Sequence, residues 1–276
     1  MIKSPLRYPG GKSKALKKLS EYTQIPFLEY REPFVGGASL FIYLKQINPE
    51  KFFWINDLNT DVYSFWKATQ SNPKALIQRI KDYKKAENGK ELYFSLIQAN
   101  TDELDLIERA ARFFVLNRIS FSGTTESGGY SERAFRERFT ESAIKRVALV
   151  SDLLDKKTVK ITNLDYSELL KSDTKTEADS ILIYLDPPYF SATNSKLYGK
   201  RGNLHLRFDH DKFAEDVKNC SSKWFISYDN SEFIRERFSF AKQDSWQLQY
   251  GMNNPHQDSC KMGEELIISN FSECKI

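Results

Sequence analysis

Apolar positions fall into short unbroken runs separated by longer stretches with helical spacing, the pattern of an α/β protein. The clearest run is Ile181-Leu182-Ile183-Tyr184-Leu185. Five apolar residues in a row fit a central strand of a parallel sheet covered on both faces, and Pro187 and Pro188 end its ladder because they lack N–H donors. Tyr30 to Leu40 reads as a short strand, a glycine turn and a helix start, and Phe52-Phe53-Trp54-Ile55 as the next strand. Val159-Lys160-Ile161-Thr162, Lys223 to Tyr228 and Glu265 to Asn270 are further strands, and Phe208-Asp209-His210 opens an amphipathic helix to Val217. Residues 1–62 therefore give two strands with a crossover helix, residues 63–150 are mainly helical, and residues 151–276 resume the alternation. The middle reads as an inserted module. Within it Ala110 to Asn117 is an apolar helix, and Arg118 to Ser131 reads as strand, glycine turn, strand. Phe190 to Gly202 has neither period and reads as a mobile loop.

Composition agrees with one such domain carrying an insertion: 276 residues, 40% hydrophobic and 14% aromatic, are enough for a sizeable core. No apolar run approaches the roughly 20 residues of a membrane span, and the start lacks a signal-peptide hydrophobic region. The chain is expected to be soluble and cytoplasmic. Cys220, Cys260 and Cys274 are odd in number and widely spaced, and His205, His210 and His256 lack ligand spacing, so neither a disulfide framework nor a metal site is expected.

The chemistry-bearing residues sit at strand ends, where sheets of this kind bind ligands. Asp186-Pro187-Pro188-Tyr189 follows the central strand directly. Asp186 supplies a carboxylate acceptor, Pro187 a carbonyl that no ladder need claim, and Tyr189 a ring face for a planar base. Together they describe a clamp for an amino group on a flipped base, where an acceptor on the hydrogens helps a delocalised nitrogen to attack. A turn whose Asp caps a helix is the competing reading. The glycine turn Phe34-Val35-Gly36-Gly37-Ala38 brings backbone close to a nucleotide-like ligand, and Asp57, roughly 20 residues on, has the spacing of a ribose ligand. An Asx turn capping the helix from Thr60 competes for Asp57. Asp165 reads as an acceptor for an adenine amino group or as a strand-end turn. Gly11-Lys12-Ser13 matches the close of a nucleoside-triphosphatase loop, but Leu6 stands where that motif needs glycine and no strand precedes it.

The net charge of +4 is concentrated. Between residues 109 and 146 Arg109, Arg112, Arg118, Arg133, Arg136, Arg138, Lys145 and Arg146 face Glu126, Glu132, Glu137 and Glu141, an excess equal to that of the whole chain. Arginine forks match phosphate oxygens and guanine edges, and the serines, threonines and glycines among them allow close approach to DNA. A strand pair from Arg118 is of a size that enters a major groove. Ser122, Thr124, Thr125, Ser127, Tyr130, Arg133, Arg136 and Arg138 join Arg118 as candidate DNA contacts. A solvated helix face with charges of both signs fits Arg133 to Glu141 equally well.

Taken in order, these motifs resemble those of the Dam-like, D12 class (alpha-type) N6-adenine-specific DNA methyltransferases. The Phe-x-Gly loop comes first, Asn56-Asp57-Leu58-Asn59 next, then an insertion containing Leu116-Asn117-Arg118, and then the Asp-Pro-Pro-Tyr. The resemblance covers nearly the whole chain. It implies a Rossmann-like S-adenosylmethionine-dependent methyltransferase fold, with seven strands, mostly parallel, the last antiparallel, and an inserted, mainly helical DNA-recognition domain. It also implies direct methyl transfer from S-adenosylmethionine to adenine N6 in duplex DNA, without metal. By the same resemblance Tyr8 packs on the cofactor, Lys12 lies near its carboxylate or the target base, and Gly10 completes that segment. A restriction endonuclease acting separately is an implied companion.

Two other readings remain. A cytosine-N4 methyltransferase uses the same clamp, usually with Ser at the position of Asp186, and a silent DNA-binding module needs no clamp at all. Enzymes of the family that methylate GATC carry an Arg and an Asn soon after the glycine corresponding to Gly123, whereas Thr124-Thr125-Glu126-Ser127 stands here. A target other than GATC is expected.

Overall fold

The computed structural model of the protein describes residues 1–7, 11–125, 128–171, 177–190, 208–249 and 262–272. Seven strands form one sheet: β1 (Glu29–Glu32), β2 (Phe52–Asn56), β3 (Val159–Thr162), β4 (Ile181–Leu185), β5 (Lys223–Asp229), β6 (Lys242–Gln249) and β7 (Met262–Ser269), in the order β3-β2-β1-β4-β5-β7-β6. Strands β1 to β5 pair in parallel, and β7 runs antiparallel between β5 and β6. The chain builds outward from β1 to β2 and β3, then crosses to β4 on the other side. The direction of winding therefore reverses between β1 and β4, which makes the crevice beyond their carboxyl ends the ligand position of such a sheet.

Strand β4 is central because both of its faces are covered. Leu182 and Tyr184 join one core cluster, while Ile181, Ile183 and Leu185 join the other, and all five are at most 1% exposed. The insertion between β2 and β3 is helical from Thr60 to Ser151, comprising the helices Thr60–Ser71, Pro73–Lys84, Gly89–Gln98, Leu106–Ile119, Glu132–Arg138 and Glu141–Ser151. Each begins behind a polar cap, in turn Asn59, Asn72, Asn88, Asp105, Ser131 and Thr140, whose side chain accepts from an orphan N–H of the first turn. These helices share one continuous core with the sheet: Phe65, Trp66 and Phe114 lie in the same cluster as Phe41 and Phe53.

The expected strand pair from Arg118 to Ser131 is corrected. Arg118 and Ile119 belong to the last turn of the helix Leu106–Ile119, and among the described residues the segment beyond closes through an isolated antiparallel bridge between Ser120 and Tyr130. Its turn is held by the backbone, with Ser122, Gly123 and Thr125 all at positive φ. The loop expected from Phe190 onward lies outside the described residues after Phe190.

Candidate active site

At the end of β4 the Asp186 carboxylate is fixed from two sides. Ser227 Oγ on β5 donates to Asp186 Oδ1 at 2.8 Å, and Lys12 Nζ approaches the same oxygen at 2.9 Å. The Tyr184 hydroxyl lies 2.8 Å from Ser227 Oγ, so strands β4 and β5 share the network. Lys12 is only 6% exposed. Burial alone pulls its pKa down, but Asp186, followed by Tyr184 and Glu265, outweighs burial and holds the ammonium above the ordinary lysine range. Its nitrogen also lies 4.7 Å from the centre of the Tyr189 ring. An amino group on a base stacked against Tyr189 and donating to Asp186 requires this same position.

The remaining clamp residues continue the chain. Pro187 is buried, and Pro188 and Tyr189 are half-buried. The Tyr189 ring lies 5.9 Å from that of Tyr228, while Phe190 donates its N–H to Asp229 Oδ1 at 2.8 Å and stacks on Phe233. The segment after the clamp is thereby anchored to β5.

Beyond β1, the glycine turn is tied to β2. Asp57 Oδ2 accepts from the Gly36 N–H at 2.9 Å and Oδ1 from the Asn59 N–H at 2.9 Å. Burial, opposed by those two bonds, raises the Asp57 carboxyl to about 6. Buried Asn56 donates to the carbonyls of Pro33 and Leu164, pinning the start of the turn, and Trp66 Nε1 donates to the Gly36 carbonyl. Gly36 and Ala38 both sit at positive φ, 41° and 56°. Ala38 therefore occupies a left-handed position that glycine adopts with less strain. Gly37 is buried between them, and Phe34 stacks on Tyr166 at 5.6 Å.

Sequence reasoning missed Glu32. It ends β1 at 3% exposure, accepts from the Tyr30 hydroxyl at 2.7 Å, and has no cationic partner among the described residues. Burial raises its carboxyl to about 8; the Tyr30 bond opposes this, and the neighbouring Asp186 and Asp57 add to it. The available signal was an acid embedded in a strand immediately before the glycine turn. Asp165, in contrast, is exposed and caps the helix Tyr166–Leu170 by accepting from Ser167 N and Oγ.

The candidate DNA contacts divide. Arg118 is 3% exposed and donates to the Pro5 carbonyl, so it does not project from the surface. Arg133 and Arg136 form i,i+4 pairs with Glu137 and Glu132, the mixed helix face that competed with a DNA role. Arg109 and Arg112 turn inward to Asp61. Arg138, Ser122, Thr124, Thr125 and Tyr130 stay at least partly exposed, with Tyr130 donating to Glu132. Phe121, not among the expected contacts, is 59% exposed where the turn begins. Tyr8, Gly10 and Ser127 lie outside the described residues.

Among the described residues no helix is long and apolar enough to cross a membrane. A model of the D12 class N6 adenine-specific DNA methyltransferases matches residues 8–252. The type II methyltransferase M1.LlaDCHI of Lactococcus lactis subsp. cremoris is 24% identical over 96% of this chain and 94% of its own length. M.MjaIII, a type II methyltransferase of Methanocaldococcus jannaschii, is 29% identical over 68% and 69%, and a DNA adenine methylase of Vibrio cholerae is 25% identical over 79% and 76%. The matched span takes in Lys12, the glycine turn, the helical insertion and the Asp186 clamp, and the chain belongs to the D12 class of N6 adenine-specific DNA methyltransferases.

Proposed function

We propose that this DNA adenine methyltransferase works by seating a flipped adenine on Tyr189 with its amino group donating to Asp186. The observation that carries this reading is the Lys12 ammonium, 2.9 Å from Asp186 Oδ1 and over the Tyr189 ring. A positively polarised N–H donor is already stabilised there by both groups, so the clamp suits an amino group that gains positive character as it attacks. For the adenine to enter, Lys12 moves aside. Asp186 orients the amino hydrogens and stabilises the charge that develops on nitrogen, while Ser227 keeps the carboxylate from rotating.

S-adenosylmethionine would supply a methyl group activated by its sulfonium charge, the S–CH3 bond breaking to leave neutral S-adenosylhomocysteine while the methylated nitrogen releases one of its protons. The residues at the β1 and β2 ends fit such a ligand: Glu32 and Asp57 are buried acids that gain from a nearby cation, and the left-handed turn at Gly36 exposes backbone for close approach. Glu32 is assigned to the amino group of the methionine part, Asp57 to the ribose, and Phe34, Gly37 and Asp165 to the adenine side, with Tyr8, Gly10 and Lys12 closing over it. No metal is invoked. DNA is read by the turn after Arg118 and by residues to Arg138. Phe121 is assigned to the stack opened by the flipped base, because an exposed aromatic at a recognition turn offers the wedge that unstacking needs. A separate restriction endonuclease with the same target is the assigned companion, and the site is a short sequence other than GATC.

Incubating the protein with duplex DNA and tritiated S-adenosylmethionine, then identifying the labelled base, tests the reading. Label on adenine N6 that disappears with Asp186→Asn is the expected result. Label on cytosine, or label unaffected by that substitution, overturns the assignment.

A further inference from the structure

Bordering the glycine turn at Gly37 and Ser39, four arginines from separate segments line one cleft of about 400 Å³. Arg7 comes from the amino-terminal segment, Arg118 from the end of the helix Leu106–Ile119, Arg138 from the end of the helix Glu132–Arg138, and Arg146 from the helix Glu141–Ser151. Like charges gathered in partly buried space repel, so the arrangement calls for an anion. The protein does not supply it: among the described residues no carboxylate pairs with any of the four. Glu137 also lines the cleft, but its carboxylate is bridged to Arg133 at 2.9 Å.

The site is built, not a chance surface patch. Arg118 is 3% exposed, one of its terminal nitrogens donates to the Pro5 carbonyl, and its Nε has no hydrogen-bond partner; Arg146 Nε is likewise buried without one. Burial, then Arg146, Arg7 and Arg138, pull the Arg118 guanidinium down to about 9, and burial with Arg138 lowers Arg7. Asn117 locks the cluster across segments by accepting from the Arg7 N–H at 2.8 Å and donating to the carbonyls of Arg7 and Gly123.

The chemistry of the donors selects the ligand. Guanidinium forks on several sides of one cavity match the oxygens of a tetrahedral phosphate better than the planar edge of a carboxylate. The hydroxyl-bearing Ser13 and Thr140 also line the cleft. Gly11, another lining residue, directly precedes Lys12, so the cleft adjoins the clamp, while Arg118 opens the recognition turn and Arg138 follows it. We propose that this cleft seats one phosphodiester group of the bound DNA beside the target nucleotide, joining the catalytic sheet to the recognition helices through a single backbone phosphate. The inference rests on the DNA methyltransferase reading above.

The test replaces each phosphate around the target adenine in turn with an uncharged methylphosphonate. Methyl transfer is then measured with the wild-type protein and with Arg146→Gln and Arg7→Gln, whose melting curves report folding, and with Arg138→Gln at the exposed rim. One position is expected to lower wild-type kcat/KM roughly tenfold, the scale of losing a charge-assisted hydrogen bond, and to have little further effect in the variants. The salt slope of DNA binding should fall in each variant by no more than about 0.9, the loss of one phosphate contact, because the four arginines share one phosphate. If wild-type protein methylates unmodified DNA but every methylphosphonate acts additively with all three substitutions, the seat is wrong and the enzyme reading stands. If no DNA is methylated at all, both fall. Inorganic phosphate that raises the melting temperature of wild type but not of Arg7→Gln, with no DNA position coupled, identifies a free anion and overturns the DNA source.

Discussion

Asp186 is held by a hydroxyl and an ammonium, and the two partners determine what its replacement does. Removing the carboxylate charge takes away the ion pair that holds the Lys12 ammonium, whether the replacement is alanine or asparagine. Asp186→Asn nevertheless keeps the shape and can still accept from Ser227, so it loses less stability than alanine and reports the chemistry more cleanly. We expect Asp186→Asn to lower methyl transfer by about a hundredfold or more, with DNA affinity nearly unchanged because phosphates dominate it. Turnover within tenfold of wild type in single-turnover kinetics would count against the carboxylate role. Tyr189 separates ring from hydroxyl: Tyr189→Phe should keep most activity, and Tyr189→Ala should lose about 1–3 kcal/mol of base stacking. Equal damage from both would shift the role to the hydroxyl. The placement of Asp186 and Asp57 just past strand ends was legible because motif and apolar run coincide. Glu32 was not, since an acid inside a strand reads as a break in an apolar pattern until the fold buries it.

At the scale of elements, the turn after Arg118 departs most from what periodicity suggests. Alternation and glycines after Arg118 read as a strand pair, but the turn is stitched to the amino-terminal segment by Asn117, and its described residues form one bridge. Gly123 sits at φ +75°, and a Cβ there would lie 2.1 Å from the Arg7 carbonyl oxygen. Gly123→Ala combines left-handed strain with a backbone collision and is expected to cost roughly 2–4 kcal/mol. Thermal melts would show it, and an unchanged melting temperature would mean that the turn does not pack as described. Strand β6 was not read from the sequence either, because Lys242-Gln243-Asp244-Ser245 are polar, as an edge strand tolerates and a central one does not. The same turn bears on specificity. By the resemblance, Thr124-Thr125-Glu126-Ser127 has neither the Arg nor the Asn that GATC-methylating members carry in this stretch, and each bidentate base contact contributes ~1–3 kcal/mol of discrimination. Single-molecule sequencing of methylated DNA should find modified adenines outside GATC; methylation confined to GATC would assign the reading to other residues.

The whole molecule was legible to the extent that apolar runs report burial. Five parallel strands, the crossover after β1 and the helical insertion all follow from patterns set by two covered faces, while the shared core of insertion and sheet is a packing result that no local pattern carries. The sheet also gathers Glu32, Asp57 and Asp186 at neighbouring strand ends, and that has a global consequence for stability. Glu32 is raised by burial from 4.5 to about 8, and Asp57 from 3.8 to about 6. A raised acid holds its proton in the folded chain at a pH where the unfolded chain has released it. Its stabilising contribution is therefore complete below the unfolded pKa and lost as pH rises through the folded one. For Asp57 that window is 3.8 to about 6, and for Glu32 it is 4.5 to about 8, so of the two only Glu32 contributes from about pH 6 to 8. The melting temperature of the ligand-free protein should fall across that range, and Glu32→Gln should flatten the fall. Because the ionised carboxylate is the form that holds a cationic amino group, S-adenosylhomocysteine should bind more tightly as pH rises over the same interval, and the gain should vanish in Glu32→Gln. Calorimetry giving a pH-independent affinity for wild type, or an unaltered pH dependence in the variant, would remove Glu32 from the cofactor site.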